Sequence, residues 1–285
     1  MVRIFMLCLV VLPVAVSAQQ RLHVTAFGGF SNYSGDLQTK RLTLDQSNGV
    51  FGLGVKYDLT NHFAVRAGFN FASVQGTDKK NEGLLRARNL SFETRIFEGN
   101  LLLEYTLFDL SEKKFSPHIF GGLAVYRFNP FAYDTLGNKV FLQPLSTEGQ
   151  GLSAYPDRKP YNLTQFAIPF GAGIKYRISE NVVLSYEVGL RKLFTDYLDD
   201  VSSTYVNPVL LEHERGPRAV QMSYRGGELK DGDPVYPADG AVRGGAKYKD
   251  WYYFTGIGIS IGINGGGRGF GGRSGWGNTG CPTNL

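Results

Sequence analysis

The chain has 285 residues and a formal net charge of +5, which is too mild for this length to predict a nucleic-acid partner. Beyond the N-terminal segment it contains no apolar run long enough to predict a transmembrane helix. Glycine, tyrosine and phenylalanine are abundant, with 37, 16 and 20 residues respectively. This composition suits a β-barrel that crosses a membrane with strands.

The N-terminus has the pattern of a secretory signal peptide over residues 1–18. Arg3 precedes an apolar run, and Ser17 and Ala18 supply the small residues of a cleavage site. The run is too short for a membrane-spanning helix. We therefore expect Sec-type export, a mature chain that begins near residue 19, and a location in the bacterial outer membrane.

Eight segments of the mature chain alternate large apolar residues with small or polar ones, as strands with one apolar face do. They are predicted over residues 22–30, 50–59, 63–72, 91–107, 118–128, 165–177, 183–194 and 251–263. The last is the clearest, because Ile257, Ile259 and Ile261 alternate with Gly256 and Gly258. In a membrane barrel the apolar face contacts lipid and the other face lines the interior.

The connections between these segments alternate between short and long. The short ones cover residues 60–62, 108–114 and 179–181, whereas stretches of polar residues such as 129–164 and 196–249 join the other pairs. Short periplasmic turns and long extracellular loops are typical of outer-membrane barrels. Residues 19–263 are therefore predicted to form an all-β, eight-stranded antiparallel transmembrane β-barrel.

Charged residues on the inward face of these strands are candidate site residues. They are Lys56, Arg66, Glu98, Glu104, Lys175, Glu187 and Arg191. The interior of an eight-stranded barrel is only wide enough for side chains to fill, and charges buried there must pair. One interpretation is a structural network of salt bridges that fills the lumen. The other is a narrow polar pore.

Residues 264–285 form a Gly-rich segment that can bury little apolar surface, and we expect a flexible periplasmic tail. The tail holds Cys281, the only cysteine of the predicted mature chain. A single cysteine allows no internal disulfide. It is either an inert thiol or an intermolecular thiol that bridges to a partner in an oxidising periplasm.

Catalytic and metal-binding patterns are weak. Of the four histidines only His213 falls in a predicted outer loop, and no nucleophile elbow of the G-x-S-x-G type accompanies it. The scattered histidines have no metal-ligand spacing. We therefore expect neither an enzyme nor a bound metal or cofactor.

Several segments resemble a family of outer-membrane β-barrels from Bacteroidota that includes PorG of the type IX secretion system. These segments cover residues 27–37, 88–92, 114–121, 142–151, 168–171 and 191–205, in the order of the family. The last, which reads RKLFTDYLDDVSSTY, is the most specific because it is long and irregular. The Gly-rich tail does not match the family pattern.

The resemblance implies a barrel, a Bacteroidota source and contact with outer-membrane lipid. It also implies a partner, a periplasmic ring of the PorK and PorN type. Within the last segment, the residues Asp196, Tyr197, Asp199 and Asp200 follow the seventh strand. They either hold the loop by side-chain-to-backbone hydrogen bonds or form a partner or cation site.

Two functions from different classes follow. The first is a non-enzymatic component of the type IX secretion machinery that docks the periplasmic ring. The second is a small structural or adhesion barrel that acts through its extracellular loops. Because one fold serves many functions, the resemblance alone does not decide between them.

Overall fold

The computed structural model describes residues 22–38, 46–247 and 249–263. The predicted signal peptide, residues 1–18, and the predicted tail, residues 264–285 with Cys281, lie outside these ranges. No helix within the described ranges is long and apolar enough to cross a membrane.

The described chain forms one closed antiparallel β-barrel. Its strands are β1 (Leu22–Ser34), β2 (Asn48–Asp58), β3 (Phe63–Thr77), β4 (Ser91–Thr106), β5 (Phe115–Arg127), β6 (Phe131–Tyr133), β7 (Lys139–Phe141), β8 (Thr164–Arg177), β9 (Val182–Leu193) and β10 (Trp251–Gly262). Eight long strands build the wall in the order β1-β2-β3-β4-β5-β8-β9-β10, and β10 pairs with β1 to close it. The predicted eight-stranded barrel is thereby confirmed.

The two ends of the barrel differ in the length of their connections. At the short-turn end, residues 59–62, 107–114 and 178–181 join consecutive wall strands. The chain also enters and leaves the barrel there, since the backbone N–H of Ile263 donates to the carbonyl of Leu22 at 2.8 Å. All other connections lie at the opposite, long-loop end. This alternation matches the prediction from the sequence.

The side chains of the wall strands alternate between the lumen and the outside. In β9, for example, Ser185, Glu187 and Gly189 are buried, whereas Tyr186 and Val188 are 52% and 39% exposed. The outward side chains are mostly large and apolar around the whole wall. The inward ones are small, polar or charged, as the period-two pattern predicts.

The long loops carry secondary structure that the periodicity did not predict. The strands β6 and β7 form a short hairpin that continues the wall above β4, where Phe131 pairs with Glu93. The described loops also hold three short α-helices: α1 (Gly83–Arg88) before β4, and α2 (Pro208–Arg215) and α3 (Pro217–Ser223) between β9 and β10. Asn207 caps α2, because its side-chain oxygen accepts from the N–H groups of Val209 and Leu210.

A hydrophobic core lies at the long-loop end, where the loops meet the mouth of the barrel. The rings of Tyr126 and Tyr252 are 5.6 Å apart, and those of Phe128 and Tyr161 are stacked at 6.1 Å. Tyr126 and Tyr252 are fully buried. These aromatic side chains cover the lumen, and we call the described loop residues 128–163, 194–247 and 249–250 at this end the roof.

Candidate functional site

The lumen holds a network of buried ion pairs, and six of the seven predicted inward charges belong to it. Arg66 on β3 donates two hydrogen bonds to Glu187 on β9, at 2.8 and 2.9 Å. Lys175 on β8 donates to Glu104 on β4, whose other oxygen lies 3.7 Å from Arg66. Paired charges of this kind avoid the large cost of an isolated ion in a lumen.

A second group of buried polar contacts in the lumen surrounds Glu98. Its Oε2 accepts from Nε of Arg191 at 3.0 Å and from the hydroxyl of Tyr252 at 2.8 Å. The side-chain amides of Asn70 and Asn100 donate to its Oε1 at 2.7 and 2.9 Å. The carboxylate is 1% exposed, and hydrogen bonds from four side chains compensate for the loss of its hydration. Sequence reasoning assigned no role to Tyr252, Asn70 or Asn100.

The seventh predicted residue, Lys56, faces the lumen but does not join the central network. Its Nζ lies 3.1 Å from Asp58, which also accepts from His23 at 2.6 Å. These three residues lie at the short-turn end, around an open vestibule of about 600 Å³. We call Arg66, Glu98, Glu104, Lys175, Glu187 and Arg191 the lumen network, and Lys56 with Asp58 a separate pair.

The group most suited to a metal contains Glu104, His118 and Glu187, whose ligand atoms lie within 4.8 Å of one another. His118 is buried on β5, and its Nε2 lies 3.4 Å from Glu187. However, Lys175 and Arg66 already neutralise both carboxylates. A divalent cation would add charge to two buried cations, so these residues fit an ion-pair network better than a metal centre.

The free space within the lumen is small. A cavity of about 60 Å³ is lined by residues of seven wall strands, β1 to β5, β9 and β10, with Arg66, Asn70 and Ser185 in its polar lining. This volume holds a few water molecules. The lumen network separates it from the vestibule, and the aromatic side chains below the roof cover the other end. The geometry therefore favours a filled lumen over a pore.

The roof is built around the buried side chain of Arg243. Its guanidinium donates to Glu148 at 2.9 Å and to the backbone carbonyls of Asp200 and Ser223 at 2.6 and 3.1 Å. Burial alone would lower the pKa of Arg243, but the charges of Glu148 and Asp200 raise it overall. Sequence reasoning assigned no role to Arg243, or to Glu148 within the family-like segment 142–151, because their contacts join distant loops.

Three acidic residues of the predicted motif are buried inside the roof. Asp200 accepts from the hydroxyls of Thr147 and Tyr161 at 2.6 and 2.7 Å, and burial raises its pKa to about 6. Asp196 accepts from Ser202 at 2.7 Å, and burial raises its pKa to about 7.

The motif's tyrosine and its third carboxylate complete this interior. Tyr197 is half-buried and stacks on Tyr161 with ring centroids 4.8 Å apart. Asp199 accepts from the hydroxyl of Tyr33, which lies 3.3 Å from Asp250. Burial raises the pKa of both carboxyl groups well above the usual range, and their mutual repulsion raises that of Asp250 further. The motif thus holds the loops together, and its three carboxylates are buried where a partner protein could not contact them.

The fold and the lumen define the class of this protein: a closed eight-stranded β-barrel with a filled interior. The chain belongs to the family described as a domain of unknown function, DUF6089, whose model matches residues 2–208. No curated protein matches the sequence.

Solved structures of bacterial outer-membrane barrels resemble this chain in fold. Neisserial surface protein A is 9% identical, with 85% of this chain and 97% of that chain covered and a TM-score of 0.42. Ail of Yersinia pestis, solved with the heparin analogue sucrose octasulfate, is 9% identical over 85% and 98%, with a TM-score of 0.39. OprG of Pseudomonas aeruginosa is 14% identical over 86% and 99%, with a TM-score of 0.38. These likenesses concern the barrel fold alone.

Proposed function

We propose that the protein spans the bacterial outer membrane as a non-conducting, non-enzymatic barrel that serves as a scaffold for other envelope proteins. The observation that carries this proposal is the apolar outer surface of the wall. Phe69, Leu123 and Phe166 are 78%, 68% and 67% exposed, and similar side chains cover all eight wall strands. Monomeric soluble proteins rarely expose a continuous apolar surface of this extent.

Aromatic side chains at both margins of this surface support the membrane location. Near the short-turn end the outward residues include Tyr57, Phe63 and Tyr176, and near the long-loop end they include Phe97 and Trp251. Aromatic girdles of this kind mark the two interfaces of a membrane around an outer-membrane barrel. By the same rule, the short turns face the periplasm and the roof faces outward.

Within this class we propose a PorG-like role in type IX secretion. Its support is the resemblance of the sequence segments described above, which include residues 191–205. The surfaces available to a periplasmic ring of the PorK and PorN type are the short turns and the tail, residues 264–285. Docking through these surfaces would leave the roof free on the other side.

Crosslinking and co-purification from the native envelope test this role. The tagged full-length chain at its natural expression level should capture ring proteins after crosslinking. Exchange of the three short turns for unrelated turns of equal length, combined with deletion of residues 264–285, should abolish capture while the barrel still assembles. Exchange of the exposed loop tip around Leu136 is the matched control, and it should leave capture unchanged. Absence of ring proteins from the wild-type sample would contradict the role.

The alternative is a structural or adhesion barrel that acts through its loops, and the folded roof favours it. Its helices and ion pairs present a defined surface, with Leu136 85% and Val209 75% exposed. A deletion strain separates the two functions. Loss of secreted cargo supports the secretion role, whereas normal secretion with weaker surface attachment supports the alternative.

An enzymatic role has little support from the site. His213 is 81% exposed in its side chain, and its ion-pair partner in the described chain is Glu214 at 3.7 Å. A general base needs a nucleophile and an orienting group within hydrogen-bond reach. A hydrolase activity lost specifically on His213→Ala would overturn the non-enzymatic proposal.

A further inference from the structure

The outward face of the barrel wall carries few charges, and they are confined to one end. In the eight wall strands the outward charged residues are Glu93, Arg95, Arg127 and Lys192. Each lies within five residues of the long-loop end of its strand. The corresponding outward positions at the short-turn end are apolar or aromatic. This asymmetry indicates that one membrane interface differs chemically from the other.

Two of these cations lie next to each other on the wall. Phe97 on β4 pairs with Arg127 on β5, and Glu93 pairs with Phe131 in the same register. Arg95 therefore lies diagonally across from Arg127 on the same face, at a Cα separation of about 7–8 Å for such neighbours. Both side chains are exposed, and neither makes a hydrogen bond or ion pair in the ranges that the structure describes.

A third cation lies on the β6–β7 hairpin directly above. Phe131 pairs with Phe141 and Tyr133 with Lys139, so these four side chains share the outward face of the hairpin. The Nζ of Lys139 lies 3.5 Å from the ring centroid of Phe131 and 5.0 Å from that of Phe141. Lys139 therefore packs over aromatic rings, with its ammonium group at the exposed surface.

These three cations and Glu93 give this part of the wall a charge of about +2, directly above an apolar surface. A guanidinium at the margin of the hydrocarbon layer extends to the headgroup level, where it can pair with an anionic group. Arginine matches phosphate geometry with two parallel hydrogen bonds. The outward rings of Tyr133 and Phe141, which are 46% and 44% exposed, provide the apolar contact that an acyl chain needs.

We propose that Arg95, Arg127 and Lys139 bind the phosphate of an anionic lipid headgroup in the outward leaflet of the membrane. This inference rests on the proposed membrane location. The wall would therefore recognise an anionic headgroup at its long-loop end. Lys192 lies on β9 beside Trp251 and Ile168, away from these three residues, and is not part of the site.

The test uses the full chain in neutral detergent micelles with two lipids of equal acyl chains, dioleoyl phosphatidic acid and dioleoylglycerol. Native mass spectrometry measures how much of each lipid stays bound. The wild type should retain phosphatidic acid at least about tenfold better than dioleoylglycerol, since charge-assisted hydrogen bonds dominate the difference. The variant R95Q/R127Q should lose this preference to within about twofold. K192Q, a matched outward cation outside the site, should keep it.

Two further measurements separate binding of a lipid headgroup from binding of any anion, and a failed membrane location from a failed lipid site. Inorganic phosphate at the lipid concentration should not displace phosphatidic acid; displacement would show a general anion site and overturn the lipid assignment. Equal retention by the wild type and R95Q/R127Q, or an equal loss in K192Q, would also overturn it. Insertion into vesicles is measured for all variants by the migration of unheated samples on gels. If the wild type fails to insert, the membrane location fails and this inference fails with it.

Discussion

The guanidinium of Arg243 lies 2.9 Å from the carboxylate of Glu148, although 95 positions separate the two residues. Their side chains are 2% and 0% exposed. Glu148 also accepts from the backbone N–H groups of Ser202 and Ser203, both at 2.9 Å. This ion pair therefore connects the loop before β8, the loop after β9 and the segment before β10, and the fold of the roof depends on it.

Glu148→Ala should destabilise the roof by about 3–5 kcal/mol, because it removes the carboxylate partner of a buried guanidinium and leaves two N–H groups without an acceptor. Residues 194–250 should become sensitive to limited proteolysis in micelles, whereas the barrel keeps its migration as an unheated band. Glu212→Gln, on the exposed face of α2, is the control and should leave the cleavage rate unchanged. Equal cleavage rates in the wild type and Glu148→Ala would contradict this role.

The pair of Arg66 and Glu187 should show strong coupling in the lumen. Either Arg66→Leu or Glu187→Leu leaves one buried charge without its two-hydrogen-bond partner, at a cost of about 3–5 kcal/mol. The double variant removes both charges and should lose much less than the sum. Urea unfolding in micelles measures the free energy of unfolding for all four proteins. Additive losses would show that the two side chains do not act as a unit.

The stability of the roof should fall as the pH rises through the range in which Asp196 ionises. Burial raises the pKa of this carboxyl group from its usual value of 3.8 to about 7 in the folded chain. Between these values the folded state binds more protons than the unfolded state, so the free energy of unfolding decreases with rising pH. This contribution is complete below pH 3.8 and lost above pH 7.

Asp196→Asn should therefore raise the melting temperature of the roof by on the order of a few degrees at pH 8 and leave it nearly unchanged at pH 3.5. Hydrogen exchange of residues 194–206 follows the same change locally. The control is Asp239→Asn in an exposed part of the same loop, which should show no such pH dependence. A gain of equal size at both pH values would rule out ionisation of Asp196 as the cause.

Wild-type protein in planar bilayers should give no discrete conductance. The lumen holds a cavity of about 60 Å³ lined by Arg66, Glu187 and Arg191 of the lumen network, and the rings of Tyr126 and Tyr252 pack together at its long-loop end. An ion would have to displace paired charges from a low-dielectric lumen to pass. Steps of reproducible amplitude that disappear on proteolysis of the protein would instead support a pore.

The strands of the barrel wall could be predicted from the sequence because the alternation of apolar and polar residues is a local property of each strand. Alternation with period two identifies which residues share a face, and Ile257 and Glu187 each lie on the face expected of them. It does not give the position of a residue along the barrel axis. Lys56 was therefore grouped with the central charges, although it pairs with Asp58 near the short-turn end. His118 was not predicted to face the lumen, because both faces of its strand carry apolar residues and the alternation therefore does not show which face is inside.

The roof could not be predicted for a different reason. The hairpin strands β6 and β7 have three residues each, which is too short for a periodic pattern. Leu211 of α2 and Ala219 of α3 pack with Val206 and with Leu152, which comes from the loop before β8. Such contacts stabilise short elements that propensity alone does not specify. For α2, the sequence contains a signal for the start of the helix, where Asn207 precedes Pro208.

The closing strand provides the most direct test of which face is inside. A Cβ at Gly256 would collide with the backbone oxygen of Gly28, and backbone cannot move aside as a flexible side chain can. Gly256→Leu should therefore block closure of β10 against β1, whereas Ile257→Leu, at a side chain 58% exposed, should fold normally. The yield of heat-modifiable barrel after refolding measures both. Similar yields would mean that the lumen and lipid faces of β10 are assigned the wrong way round. A loss confined to Gly256→Leu would establish that this bare face is required for the close approach of the two strands that seal the barrel.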